Sequence, residues 1–191
     1  KNVDVLINSA AFAMKDMQSS ESSYFDPVET YQKSLWENAL DINLTGTFML
    51  CQRVGKYMKD YGRGSIINIA SDVAVISPDH RIYQQNEITG YKGSDFNTPL
   101  SYCVSKTGIL GMTRYLATYW AKYGIRVNSI SPAGVYRDQP ADFVKELSYR
   151  IPLGRMAKAS ELKGPIVFLA SEASSFVTGT NLVVDGGRTI W

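Results

Sequence analysis

Asn97-Thr-Pro-Leu-Ser-Tyr-Cys-Val-Ser-Lys106 opens the stretch, running on to Gly124, whose reading decides the fold. Thr98 followed by Pro99 predicts a helix start, with a hydroxyl to cap the first turn and a proline inside it. Tyr102 and Lys106 lie four residues apart, so a helix stacks the phenol and the ammonium on one face. A neighbouring positive charge favours the phenolate, so Tyr102 is expected to titrate below its ordinary value of about 10. A tyrosine tuned in that way can exchange a proton with an alcohol or carbonyl oxygen. On its own the pair fits a helix that carries these two residues by chance, and the rest of the chain has to decide.

Outward from that helix, strands and helices alternate. Residues 3–9 and 65–71 are short apolar runs, each ending in a small polar residue, which is the pattern of a strand buried on both faces. Between them, residues 34–60 place Leu35, Leu40, Ile42, Leu44, Phe48, Met49, Val54 and Met58 at helical spacing. Tyr61-Gly62-Arg63-Gly64 stops that helix, and Gly124 is the left-handed cap of the next. Residues 125–131 form a third strand, 160–170 open another helix, and 181–185 form a last strand closed by Gly186-Gly187. Residues 10–33, 72–97 and 135–158 read as polar connections, the last of them mobile. This order predicts one α/β unit over residues 1–191, with a parallel sheet covered on both faces.

Composition narrows the function classes. The chain has 191 residues, 45% hydrophobic and 20% charged, with a net charge of +2. It has no basic block for nucleic acid or an anionic membrane surface, and no apolar run long enough to span a bilayer. Cys51 and Cys103 fall in helical patterns, so two reduced thiols and a cytoplasmic setting are expected. His80 is the only histidine, and no metal site is expected. In an open parallel sheet a ligand binds outside the carboxyl ends of the strands. Those ends carry Asn8, Ser71 and Pro132-Ala133-Gly134. Asn43 is a polar residue inside an apolar helix, read either as a solvent-facing or capping amide or as a kink that holds a water next to Lys106.

Taken together, these residues resemble the classical short-chain dehydrogenase/reductase (SDR) family. Asn8-Ser9-Ala10-Ala11 stands where the family has Asn-Asn-Ala-Gly, Asn43 lies in the long helix, and Ser71 ends an Ile-Asn-Ile-Ala-Ser strand. Tyr102-x-x-x-Lys106 follows, then Ile125-Arg126-Val127-Asn128-Ser129-Ile130-Ser131-Pro132, Thr178-Gly179 and Val184-Asp185-Gly186-Gly187. The resemblance implies the C-terminal part of a Rossmann-type doubly wound sheet in three α/β/α layers. It also implies hydride transfer between NAD or NADP and a carbonyl or secondary alcohol. By analogy Tyr102 is the general acid/base and Lys106 lowers its pKa and binds the nicotinamide ribose. Ser71 would hold the substrate oxygen and Asn43 would anchor a proton-relay water. Asn8, Ala10, Tyr102, Lys106, Pro132, Ala133, Gly134 and Val135 are the residues the resemblance places against the cofactor. It implies a homodimer or homotetramer as well, and the stripe of Tyr115, Tyr119 and Tyr123 suits either core packing or that interface.

Three departures qualify the likeness. The family's glycine-rich turn does not occur in the chain, which starts at what would be the fourth strand. The expectation is therefore a domain truncated at its N-terminus, with weak dinucleotide binding and its first strand as a sheet edge. Ser71 and Tyr102 lie 31 positions apart, more than the short gap usual in the family. The intervening His80, Arg81, Tyr83, Gln84, Gln85, Asn86, Tyr91 and Lys92 suit a polyhydroxylated or anionic substrate, or a solvated loop. Ala11 and Ala133 replace glycines. Residues 113–121 look similar to members associated with nonulosonate or flagellin-glycan pathways. A nucleotide-sugar epimerase or dehydratase of the extended branch, and a non-catalytic scaffold, remain as alternatives.

Overall fold

The computed structural model describes residues 3–12, 23–83 and 97–191. Four strands, β1 (Val5–Asn8), β2 (Gly64–Ile69), β3 (Ile125–Pro132) and β4 (Asn181–Val184), form a parallel sheet in the order β1-β2-β3-β4. The register pairs Asn8 with Asn68, Ile69 with Ile130, and Val184 with Pro132, so the carboxyl ends line up along one edge of the sheet. β1 is an edge strand among the described residues. The helices are α1 (Lys33–Leu40), α2 (Gly46–Tyr61), α3 (Leu100–Trp120), α4 (Ala141–Tyr149) and α5 (Lys163–Ala170).

Successive residues of β2 sort the two layers, because neighbouring side chains on a strand point to opposite faces. Ile66 packs with Cys51 and Met58 of α2, Leu116, Ala117 and Trp120 of α3, and Val127. Ile67, one residue on, packs with Ile130 and with Leu169 and Ile166 of α5. A sheet covered in this way on both faces is the expected three-layer α/β/α arrangement of a Rossmann-type domain. Gly124 (φ 69°) ends the α3 segment as expected, and its N–H returns to the Ala121 carbonyl at 3.0 Å.

Several sequence expectations need correction. The long helix 34–60 is interrupted at Asp41–Thr45 by a π-helical turn centred on Asn43. That extra residue in the turn rotates the apolar pattern, leaving Ile42, Phe48 and Met49 exposed rather than in the core. Thr98 does not cap α3. The N-terminal flank is Pro99 without a side-chain cap, and the Thr98 hydroxyl pairs with the Tyr83 phenol at 3.0 Å. Residues 135–158 are not a plain loop, because α4 lies among them. Phe143 stacks on Tyr83 with ring centroids 5.9 Å apart, and Arg150 bonds Asp79 at 2.7 Å and Glu146 at 2.8 Å. Phe143, Val144 and Leu147 at helical spacing after Pro140 carried that signal. Gln84, Gln85, Asn86, Tyr91 and Lys92 lie outside the described residues.

The α2–α3 contact depends on Gly55. A Cβ at this position would fall inside the ring of Trp120, itself buried between α2 and the sheet. Gly55→Ala is therefore expected to destabilise the fold by about 1–3 kcal/mol through overpacking, despite a gain of about 1 kcal/mol in helix propensity. Urea unfolding would register this as a lower midpoint at unchanged slope. A variant more stable than the parent would show that Trp120 repacks freely.

Candidate active site

Three elements deliver the polar groups to the carboxyl edge of the sheet. β2 ends at Ile69, and Ala70 keeps the chain in line through a bond from its N–H to the Ile130 carbonyl (2.8 Å). This sets Ser71 just beyond the sheet, where it is buried. α3 crosses the same edge and contributes Tyr102, Ser105 and Lys106. The Pro132–Val135 turn leaves β3, stitched by Ala133 N–H to the Val184 carbonyl (3.1 Å) and Ala157 N–H to the Gly134 carbonyl (3.1 Å). A Cβ on Gly134 would meet the Leu147 side chain at 2.5 Å, so any larger residue there would have to push the tip of Leu147 aside.

Ser71 lies close enough to Tyr102 to influence its titration. The titration of Tyr102 does not follow the sequence expectation. Burial, the largest influence, pushes the phenol above its ordinary 10. A hydrogen bond donated by Ser71 would pull it down, while the Asp72 carboxylate pushes it further up. Lys106 does not reverse this, because its ammonium is aimed elsewhere. Nζ donates to the main-chain carbonyl of Ile69 at 2.7 Å and stands 5.7 Å from the centre of the Tyr102 ring. Lys106 is only 2% exposed, and burial brings it down from 10.5 to about 8.

Asn43 is fully buried and its carboxamide is engaged on both sides. Oδ1 accepts from Phe12 N–H (2.6 Å), and Nδ2 donates to the Phe12 carbonyl (3.3 Å) and to Ser105 Oγ (3.0 Å). Its main-chain carbonyl accepts from the Thr47 hydroxyl at 2.8 Å. Asn43 thus ties the chain after β1 to the helix that carries Lys106. Asn8 is turned inward too: Nδ2 donates to Asn68 Oδ1 (2.8 Å) and approaches Cys51 Sγ (3.2 Å), while Asn68 donates to Thr113 Oγ1 (3.0 Å). Ala10 is exposed at the sheet edge. Ser71, Tyr102 and Lys106 therefore lie together, whereas the side chains of Asn8 and Asn43 serve the scaffold.

Two residues absent from the sequence reading belong to the same cluster. Asp72 and Arg188 are both buried and form an ion pair, and Asp72 Oδ1 also accepts from the Ser71 hydroxyl at 2.9 Å. Their separation of 116 positions left no sequence signal to join them. Cys103, beside Tyr102 in sequence, is a free thiol pushed up to about 11 by burial, which makes it a poor nucleophile.

Comparison with known proteins places this arrangement. Residues 1–83 match the family described as short chain dehydrogenase, and residues 88–189 match that described as Enoyl-(Acyl carrier protein) reductase. The D-threitol dehydrogenase of Mycolicibacterium smegmatis is 37% identical over 196 residues, covering 98% of this chain and 64% of its own. A short-chain dehydrogenase of Leptospira borgpetersenii, solved with bound NAD+, is 39% identical with a TM-score of 0.82 over 97% of this chain and 65% of its own. A gluconate 5-dehydrogenase of Burkholderia cenocepacia, solved with NADP and tartrate, is 28% identical with a TM-score of 0.82 over 100% of this chain and 66% of its own. The chain thus spans a little under two thirds of the D-threitol relative's length (64%).

The buried ammonium has a measurable cost. Below about pH 8 both folded and unfolded states carry the proton, and the folded state bears the full desolvation penalty. Between about 8 and 10.5 the unfolded state binds more protons, so the contribution to stability rises with pH. Lys106→Met is expected to be more stable than the parent near pH 7 by about 2 kcal/mol, with the difference shrinking as pH rises past 8. Urea unfolding at several pH values measures it. A destabilised variant at neutral pH would mean that the bond to Ile69 outweighs burial.

Proposed function

The chain belongs to the short-chain dehydrogenase/reductase family, and from that premise we propose an oxidoreductase. It would interconvert a secondary alcohol and a carbonyl on a polyhydroxylated, sugar-like substrate, with NAD or NADP. The observation that carries the reading is the meeting of Ser71, Tyr102 and a buried Lys106 at the carboxyl edge of a parallel sheet. The substrate class rests on relatives named for D-threitol and for gluconate. These names favour a polyol or sugar acid over the nonulosonate derivative suggested by residues 113–121.

The donors and acceptors suit the nicotinamide–ribose half of a dinucleotide. Lys106 has three N–H groups and uses one on Ile69, which leaves two for ribose hydroxyls. Among the described residues Asn8 Oδ1 is buried with no hydrogen-bond partner, an acceptor at the end of β1 whose Nδ2 is held by Asn68. The main chain of Ala10 and of Pro132–Val135 would line the rest of this half-site. When bound, the nicotinamide takes or supplies the hydride.

The chain's own groups handle the oxygen and its proton. In oxidation the Tyr102 phenolate takes the hydroxyl proton as the carbon–hydrogen bond breaks and the carbonyl forms; in reduction the phenol returns it. Ser71 holds the reacting oxygen beside Tyr102. Lys106 would swing from the Ile69 carbonyl towards the phenol, where its charge favours the phenolate against the effect of burial. Asn43 fixes the π-helical turn behind Ser105 and Lys106, and the relay water would sit against that turn.

Subunit pairing is part of the reading. Tyr115 and Tyr119 are 66% and 57% exposed and stack on each other 6.0 Å apart, and Phe48, Met49 and Tyr57 of α2 are exposed as well. Aromatic and methionine side chains of this kind suit a homodimer or homotetramer contact. Tyr123 instead packs at the core margin, under the Lys59 ammonium at 4.7 Å.

The test follows cofactor reduction by the complete polypeptide with a panel of polyols and sugar acids. Tyr102→Phe is expected to lower kcat/KM by about 10²–10⁴-fold against the active substrate. Equal rates in parent and variant would remove Tyr102 from its proposed role.

A further inference from the structure

Behind Ser71 lies a charged pair for which the proposed chemistry has no role. Asp72 is 4% exposed and Arg188 8%, so both charges are withdrawn from water and depend on each other. The arrangement is built rather than incidental. Asp185 accepts from Gly187 N–H (2.8 Å) and Thr189 N–H (2.7 Å), closing a turn in which Gly187 adopts φ 92°. This turn beyond β4 carries Arg188 back to the end of β2, where Nη1 meets Asp72 Oδ2. The second carboxylate oxygen, Oδ1, accepts from the Ser71 hydroxyl (2.9 Å) and from Val73 N–H (2.9 Å).

A serine hydroxyl has one hydrogen. With that hydrogen on Asp72, Ser71 Oγ has only lone pairs to offer the Tyr102 phenol. We propose that Asp72 and Arg188 are a positioning pair for the Ser71–Tyr102 site. Asp72 holds Ser71 as an acceptor, and Arg188 neutralises the carboxylate that Tyr102 would otherwise face unpaired. This rests on the oxidoreductase reading for its catalytic meaning, but the electrostatic coupling can be read without turnover.

The groups that face the carboxylate come from every neighbouring element. Tyr102 and Cys103 look onto it from α3, Tyr83 from the short 3-10 turn His80–Tyr83, and Arg188 from the C-terminal turn. Tyr24 also faces the Tyr102 phenol, and Lys106 is held away from it on Ile69. Arg188 is thus the one cation in that set paired with Asp72, and it acts on the phenol only through the carboxylate it neutralises.

Two substitutions move the phenol in opposite directions. Arg188→Met leaves a carboxylate facing Tyr102, which is ionised at the alkaline pH where a tyrosine titrates, so Tyr102 should titrate higher by about one pH unit or more. Asp72→Asn leaves the guanidinium and frees the Ser71 hydrogen to donate to the phenolate, so Tyr102 should titrate lower by a similar amount. Arg188→Lys keeps the charge and should restore the parent curve. The readout is tyrosinate absorbance against pH in the complete polypeptide, taken as the difference between each background and the same background carrying Tyr102→Phe. Opposite shifts support the pair, and either variant alone is sufficient if the other fails to fold. An unchanged Tyr102 titration with lowered melting temperature would reduce Asp72–Arg188 to a structural tie and overturn the proposal. The pH profile of cofactor reduction should move with the absorbance curve. Shifts in absorbance without any turnover in the parent would retain the coupling and reject the oxidoreductase reading.

Discussion

An ammonium with almost no access to water is the constraint on which the arrangement depends. Lys106 needs a partner wherever it is buried, and it finds one in the Ile69 carbonyl at the last residue of β2. A strand's final carbonyl is free for such a bond because the pairing ends there, so α3 is held with its first turns across the carboxyl edge of the sheet. Moving α3 by one turn would leave the charge buried and alone, at a cost of several kcal/mol. The position of Tyr102, one turn before Lys106, follows from that anchor.

Around it runs a set of buried amides and hydroxyls that does the work usually given to apolar packing. Asn8, Asn68 and Thr113 link β1, β2 and α3 in one chain of bonds, and Phe12, Asn43 and Ser105 link the segment after β1 to α3 through the π-helical turn. Each such group is costly if left unpaired, so the network admits few alternative registers. Asn43 shows how the two scales connect. A fully buried carboxamide in the middle of a helix has four hydrogen-bonding positions to fill, and the widened turn brings it against Phe12 and Ser105. The same turn exposes Ile42, Phe48 and Met49, leaving apolar side chains on the outer side of the helix.

The strands, their parallel pairing and the Tyr102–Lys106 helix were legible in the sequence because each is a local pattern: period, spacing or a capping glycine. What escaped depends on non-local contact. Thr98 has the makings of a helix cap, but Tyr83 claims its hydroxyl. α4 was masked by the polar residues between its apolar positions, and it is secured by Tyr83, Asp79 and Arg150 rather than by propensity. The direction of the Tyr102 shift failed for the same reason. Spacing of four residues puts the ammonium near the phenol but does not say where Nζ points, and here a main-chain carbonyl outcompetes the ring.

That competition bears on how such a site can work. A phenol raised by burial and a lysine lowered by it are pushed towards each other in proton affinity, the phenol from 10 upwards and the ammonium down to about 8. Neither holds its useful charge cheaply in the structure as it stands. Transfer of Nζ from Ile69 to the phenol would reverse both tendencies at once, because the ion pair stabilises phenolate and ammonium together. Ser71 cannot provide this stabilisation while its hydrogen is held by Asp72. Charge on the Tyr102 phenol therefore depends, besides burial, on two side-chain choices, where Lys106 points and which way Ser71 donates, both set by groups outside the tyrosine itself.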